Sequence, residues 1–294
     1  MKLKSKTVSI ILLIAFATCL GSVFMFSVIA MNGFSPMAVG SLRVVFASVF
    51  LLVALKVFNQ SLVKSLSHWK FVTIYGTAFS TLPFLALPWA LQFVSSSAAA
   101  ISFASIPLWV LVLSRIFLKM PITPLKWVGF ATGSIGLIFL AGNGTDSINS
   151  DANFSDTLSL IPYFVLLFAA LGIAAGGVQL QTAPNISPLS LVASAFLAGN
   201  IIAVPVFLIS LPEQWPPITS VLSVLWLGII ATGLATFIRG ILIKREGILF
   251  TSTNSYIVPV FASILGASFL GETLTISHGL AYLMVASGLL ISRK

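Results

Sequence analysis

The sequence predicts an all-α polytopic membrane protein, with ten transmembrane helices arranged as two inverted five-helix repeats. Composition, the spacing of apolar runs and the placement of positive charge each point there. Of the 294 residues, 58% are hydrophobic and only 7% charged, whereas a soluble domain carries about 25% charged residues. So few charges cannot cover a water-facing surface, so the solvent is mostly lipid.

A helix needs about 20 apolar residues to cross the hydrocarbon core. Ten runs meet that length: 8–30, 37–58, 71–92, 96–118, 124–142, 158–180, 189–211, 219–242, 247–270 and 275–291. The breaks hold turn formers, among them Asn32-Gly33, Ser35-Pro36, Ser187-Pro188 and Pro216-Pro217. Backbone polar groups in lipid must be satisfied within the segment, which makes each run a helix. One long polar stretch, 143–157, carries Asp146, Asp151 and Asp156. It divides the chain into a first unit, 1–142, an external linker, 143–157, and a second unit, 158–294. The first run follows Lys2, Lys4 and Lys6. It exceeds the roughly 7–15 residues of a signal-peptide core, so it reads as a retained helix.

The formal charge of +9 is a topology signal. With a cytoplasmic N-terminus, every lysine and arginine except Arg43 falls on the inside, from Lys2 through Arg239, Lys244 and Arg245 to Arg293 and Lys294. Asp146, Asp151, Asp156 and Glu213 fall outside. Positive residues stay cytoplasmic, so both ends are expected in the cytoplasm. No basic patch with interleaved aromatics is present, which excludes nucleic acid as a partner. The expected partners are a small-molecule substrate and the lipid bilayer, with the chain a monomer or homodimer.

Slid against itself by 152 positions, the chain overlays its apolar runs without a gap. Ser35-Pro36 falls on Ser187-Pro188, Gly76 on Gly228, Pro107 on Pro259, and Gly136 on Gly288. Five spans per half is an odd number, so the second half enters the membrane inverted. Repeats of this kind place a solute site near the midplane.

Residues for chemistry are scarce. Cys19 is the single cysteine, so neither an internal disulfide nor a cysteine metal site can form. His68 and His278 lack metal-ligand spacing, and no phosphate loop or nucleophile elbow occurs. No catalytic residue, metal or cofactor is expected, and an enzyme is disfavoured.

The second half reads Tyr256-Ile257-Val258-Pro259, then Leu270-Gly271-Glu272-Thr273, then Gly288. The first half reads Ile106-Pro107-Leu108, then Phe117-Leu118-Lys119-Met120, then Gly136. The stretch Ala90–Ile101 and Leu20-Gly21-Ser22 complete an ordered set. In this set and over nearly its whole length, the chain resembles EamA-type transporters of the drug/metabolite transporter superfamily. Two departures stand out. Met120 stands where the family usually has glutamate, and Leu20 where it often has tryptophan. The resemblance implies a transporter of small metabolites in the bacterial inner membrane, frequently an exporter of amino acids or related amphiphilic compounds. Multidrug efflux or uptake by the same fold is the second reading, and an intramembrane sensor or scaffold the non-transporter one. No loop here is long enough for a signalling domain.

Arg43 lies within the second helix, where a charge costs roughly 2.5–3.5 kcal/mol at the bilayer centre. It reads either as an anchor for a substrate carboxylate or as a cation bonded to backbone carbonyls. The resemblance implies a cavity lined by helices one, three, four, six, eight and nine. Trp89, Trp109, Gln179, Asn254 and Tyr256 fall on those helices, as polar or aromatic candidates for substrate contact. Pro107 and Pro259 read as gate hinges or fixed bends. Glu272, at the outer end of the ninth helix, reads as a turn or cap residue. No acid falls in the middle of a span, so coupling to protons through a buried carboxylate is disfavoured.

Overall fold

The computed structural model describes residues 2–119, 160–183, 186–272 and 276–292, with isolated positions between 123 and 135. Among the described residues every regular element is helical. Among the described residues, seven helical stretches are long and apolar enough to cross a membrane. The fifth span expected at 124–142 and the linker at 143–157 lie largely outside the described residues.

The helices start where capping chemistry allows. α1 is Lys2–Ala30 and α2 is Pro36–Val57. Ser35 caps α2, its Oγ accepting from the Ala38 N–H at 3.3 Å, and Pro36 occupies the first turn, where no donor is needed. α8 (Pro188–Leu208) repeats this arrangement. There, the Ser187 Oγ accepts from the Ser190 N–H at 3.4 Å, ahead of Pro188. Ser95 does the same for α5 (Ser96–Phe103), accepting from the Ala98 N–H at 3.2 Å.

Several spans are broken rather than continuous. The third comprises α3 (Leu66–Gly76), a π-helical segment Thr77–Thr81, and α4 (Leu82–Ala90). Pro83 removes a donor at the start of α4, and the wider π turn absorbs the mismatch. Thr81 donates through Oγ1 to the Gly76 carbonyl at 2.7 Å, satisfying backbone there. The eighth span repeats the pattern 152 positions later: α9 (Ile218–Gly228), a π segment Ile229–Leu234, and α10 (Ala235–Ser252). The fourth span breaks at Ala104-Ser105 between α5 and α6 (Ile106–Phe117). The ninth breaks at a 3-10 turn, Thr253–Tyr256, before α11 (Val258–Phe269).

Pro107 and Pro259 therefore sit in the first turns of α6 and α11, after those breaks, and not inside continuous helices as the sequence suggested. The stretch Ile218–Phe269 covers 52 residues. As one straight helix it would be about 78 Å long, more than twice the hydrocarbon thickness. It is interrupted at Gly247, with φ 84° and ψ 169°, a conformation open essentially only to glycine. α12 (Ile276–Ser292) follows.

α2 lies along α8, α1 packs on α9 and α11, and α7 (Ile161–Gln181) is flanked by α4 and α6. The outer surface is apolar, with Val53, Ile116, Phe168, Ile201 and Leu283 exposed. The interior holds buried Arg43, Ser80, Thr81, Thr232, Thr251 and Asn254. This is the reverse of a water-soluble protein, and it fits a chain whose solvent is lipid.

Candidate functional site

Several of the buried polar residues, among them Arg43, Ser80, Thr236 and Asn254, line one cavity of about 90 Å³. One water needs about 10–15 Å³ on such a measure, so the space holds several waters or a small solute group. Its walls come from α1, α2, α3 to α6, α7, α10 and α11, with the π segments and the 3-10 turn. α2 is an addition to the set that the resemblance implied.

Phe16, Phe24, Phe79, Phe84 and Phe103, with aliphatic side chains between them, make the wall largely apolar. The breaks supply the polar part, because departures from straight α-helix turn small polar groups inward. Ser80 comes from the first π segment and Thr236 from just after the second. Thr251, Ser252, Asn254 and Ser255 come from the 3-10 turn and the helix before it.

Arg43 lines this cavity and is 1% exposed. Its Nε donates to the Thr232 Oγ1 at 3.1 Å, and its guanidinium carbon lies 4.6 Å from the centre of the Phe84 ring. Its Nη1 is buried with no hydrogen-bond partner among the described residues. Guanidinium is a donor-only group suited to carboxylate and phosphate. A buried unmatched nitrogen beside a cavity is where an anionic ligand oxygen fits.

Arg239, which the sequence places at the inner end of the 219–242 run, lies within α10 and lines the same cavity. Its Nη2 donates to the Ile173 carbonyl at 2.6 Å. Gly176 and Gly177 make room here; a Cβ on Gly177 would come within 2.6 Å of Arg239 Nη2, and one on Gly176 within 3.1 Å of Tyr75. The Tyr75 hydroxyl is buried nearby, beside Arg239 and Ser80. A readable signal existed: Thr232, Thr236 and Arg239 recur at helical spacing and mark one polar stripe on an apolar span.

Of the other expected site residues, Asn254 is buried and lines the cavity. Trp89 packs on Phe93 with ring centres 5.0 Å apart, and Trp109 packs against the cluster around Val110. Gln179 donates through Nε2 to the Phe71 carbonyl at 3.1 Å, tying α7 to α3. None of these three lines the cavity. Tyr256 closes the 3-10 turn, and its side chain lies outside the described residues. Glu272 accepts from the Ser96 N–H at 2.8 Å and so caps α5, the kind of role its position suggested.

Broken helices around a buried, largely apolar cavity with a set of polar groups are the architecture of a membrane transporter. The model of the EamA-like transporter family matches residues 7–142 and 160–293, and the chain belongs to that family. It is 25% identical over 242 residues to an uncharacterized transporter of Archaeoglobus fulgidus, covering 82% of this chain and 83% of that protein. It is 27% identical over 193 residues to YedA of Escherichia coli, described as an uncharacterized inner membrane transporter. That match covers 63% of this chain and 57% of YedA. A solved crystal structure shares the fold at TM-score 0.74 and 16% identity, covering 97% of this chain and 96% of its own.

Proposed function

We propose that the chain exports small metabolites that carry a carboxylate and an apolar body, amino acids and related amphiphilic compounds, across a bacterial inner membrane. It does so as a secondary transporter or facilitator with both ends cytoplasmic. The observation that carries this reading is the buried Arg43, with one unmatched nitrogen beside a largely apolar cavity. Arg43 takes the carboxylate, the phenylalanines take the apolar body, and Asn254 offers a further polar contact.

The architecture we infer is two inverted five-helix repeats, 1–142 and 158–294, joined by an external linker at 143–157. Its support is the recurrence of Ser-Pro caps, π segments and broken helices in both halves at one offset. The breaks before Pro107 and Pro259 are the places where the fourth and ninth spans bend as the cavity changes sides. Trp89, Trp109, Gln179 and Tyr256 hold the surrounding helices or meet the solute when it does.

The test compares metabolites released by cells overproducing the chain with those released by an empty-vector strain, both loaded with a dipeptide mixture. Selective release of carboxylate-bearing solutes, lost in an Arg43→Leu variant that still inserts, is the expected result. No difference across amino acids, nucleosides and sugars, with the protein in the membrane, refutes export of this class. Selective release of lipophilic cations instead would favour drug efflux.

A further inference from the structure

The two arginines of the cavity stand on a continuous polar track. Thr232 holds Arg43, Thr236 also lines the wall, and Arg239 follows seven residues after Thr232, about 10 Å along the helix. No acidic residue lines the cavity among the described residues. The acids nearest in sequence are occupied at the edges of the bundle. Glu246 Oε1 accepts from the Ser9 Oγ at 2.6 Å, and Glu272 Oε1 accepts from the Ser96 N–H.

Two cations therefore share a chamber with phenylalanine walls and no countercharge of its own. Burying an unpaired charge is costly unless something of opposite sign neutralises it. A zwitterionic solute contributes no net charge and leaves the chamber as positive as before. Its ammonium group would find only neutral acceptors, the hydroxyls and the Asn254 amide, with no carboxylate among the described residues to pair its charge, and it would lie in the field of two arginines. A solute with a carboxylate and no ammonium lowers the chamber's charge and brings only acceptors to the arginines.

We propose that the preferred cargo is a small organic anion of net negative charge with an apolar body, with Arg43 and Arg239 as two successive anion stations along the pathway. This inference rests on the export reading above and narrows its substrate class from amino acids to their derivatives and analogues without a free amino group.

The experiment uses the full chain in proteoliposomes and three probes that share a benzene ring: N-acetylphenylalanine, phenylalanine and phenyltrimethylammonium. Counterflow of each labelled probe is measured against its own unlabelled form. N-acetylphenylalanine is expected to move faster than phenylalanine by about tenfold or more, the scale of one charge-assisted hydrogen bond. The cation is expected not to move. Arg239→Gln is expected to abolish the preference for the anion, and Arg239→Lys to restore part of it. Phenylalanine moving as fast as or faster than its acetylated form overturns the inference and leaves the transporter reading standing. Faster movement of the cation does the same. Movement of none of the three overturns both the inference and the carboxylate-export reading on which it rests. The wild-type ratio decides the matter even if the Arg239 variants fail to insert.

Discussion

Replacing Gly76 by alanine should cost the protein stability out of proportion to one methyl group. Gly76 ends α3 and meets the backbone of α8. A Cβ there would lie 1.9 Å from the Ala195 carbonyl oxygen and 2.7 Å from its carbon. A backbone carbonyl cannot rotate aside, so the two helices must part by about 1.5 Å to reach the 3.4 Å of an ordinary contact. That movement also pulls on Thr81, which donates to the Gly76 carbonyl at 2.7 Å and lies 3.5 Å from the Gly199 carbonyl. Overpacking costs about 1–3 kcal/mol, and the weakened hydrogen bond adds about 1 kcal/mol.

The assay for Gly76→Ala is reversible unfolding in mixed detergent and sodium dodecyl sulfate, giving a loss of ~2–4 kcal/mol. Gly279→Ala is the control. A Cβ there meets nothing within 4 Å, so that variant should match or exceed wild type by up to ~1 kcal/mol, from helix propensity alone. The reasoning is refuted if Gly76→Ala unfolds within ~0.5 kcal/mol of wild type, or if Gly279→Ala is equally damaged.

Three further outcomes are expected. Glu272→Ala should lose ~1–2 kcal/mol in the same unfolding assay, because the Ser96 N–H at the start of α5 loses its acceptor, while Glu272→Gln should keep most of the stability. Gly247→Ala should lose ~1–3 kcal/mol, since φ 84° with ψ 169° is strained for any residue with a Cβ. Thr232→Val should lower stability by ~1–3 kcal/mol and slow transport, because the buried Arg43 Nε loses its acceptor. Thr232→Ser, which keeps the hydroxyl, should behave as wild type in unfolding and in counterflow.

The helix starts were legible because capping leaves a local signature. Ser35-Pro36 and Ser187-Pro188 announce their helices by residue type, and both caps form. The interior breaks were not legible in the same way. The π segments lie inside apolar runs, where hydropathy gives no sign of a change in helical pitch, whereas Asn254-Ser255-Tyr256 marks a polar step before Pro259 without showing that the helix breaks there. Gly76, Gly228, Pro107 and Pro259 flagged the neighbourhoods but not the kind of break.

Arg43 stood out because it lies well inside a span, away from the charged ends. Arg239 did not, because it lies near Lys244 and Arg245, and a charge pattern cannot tell a solvated cation from one facing a cavity. Met120, the departure from the family's glutamate, matches Glu272 at the repeat offset, as Ile248 matches Ser96. Glu272 caps Ser96, while the Ile248 N–H donates to Gln181 Oε1 at 2.9 Å.

A chamber lined with arginine and free of acid on its described walls has a consequence for energy supply. A carrier with a titrating carboxylate in its site can draw on a proton gradient; this wall offers none. A cell interior held negative drives any net negative solute outward unaided, by about 2.3 kcal/mol per charge for each 100 mV. That is a gradient of about fifty-fold at equilibrium. For a cargo of that sign the voltage across the membrane is itself the fuel, and export needs no partner ion at all.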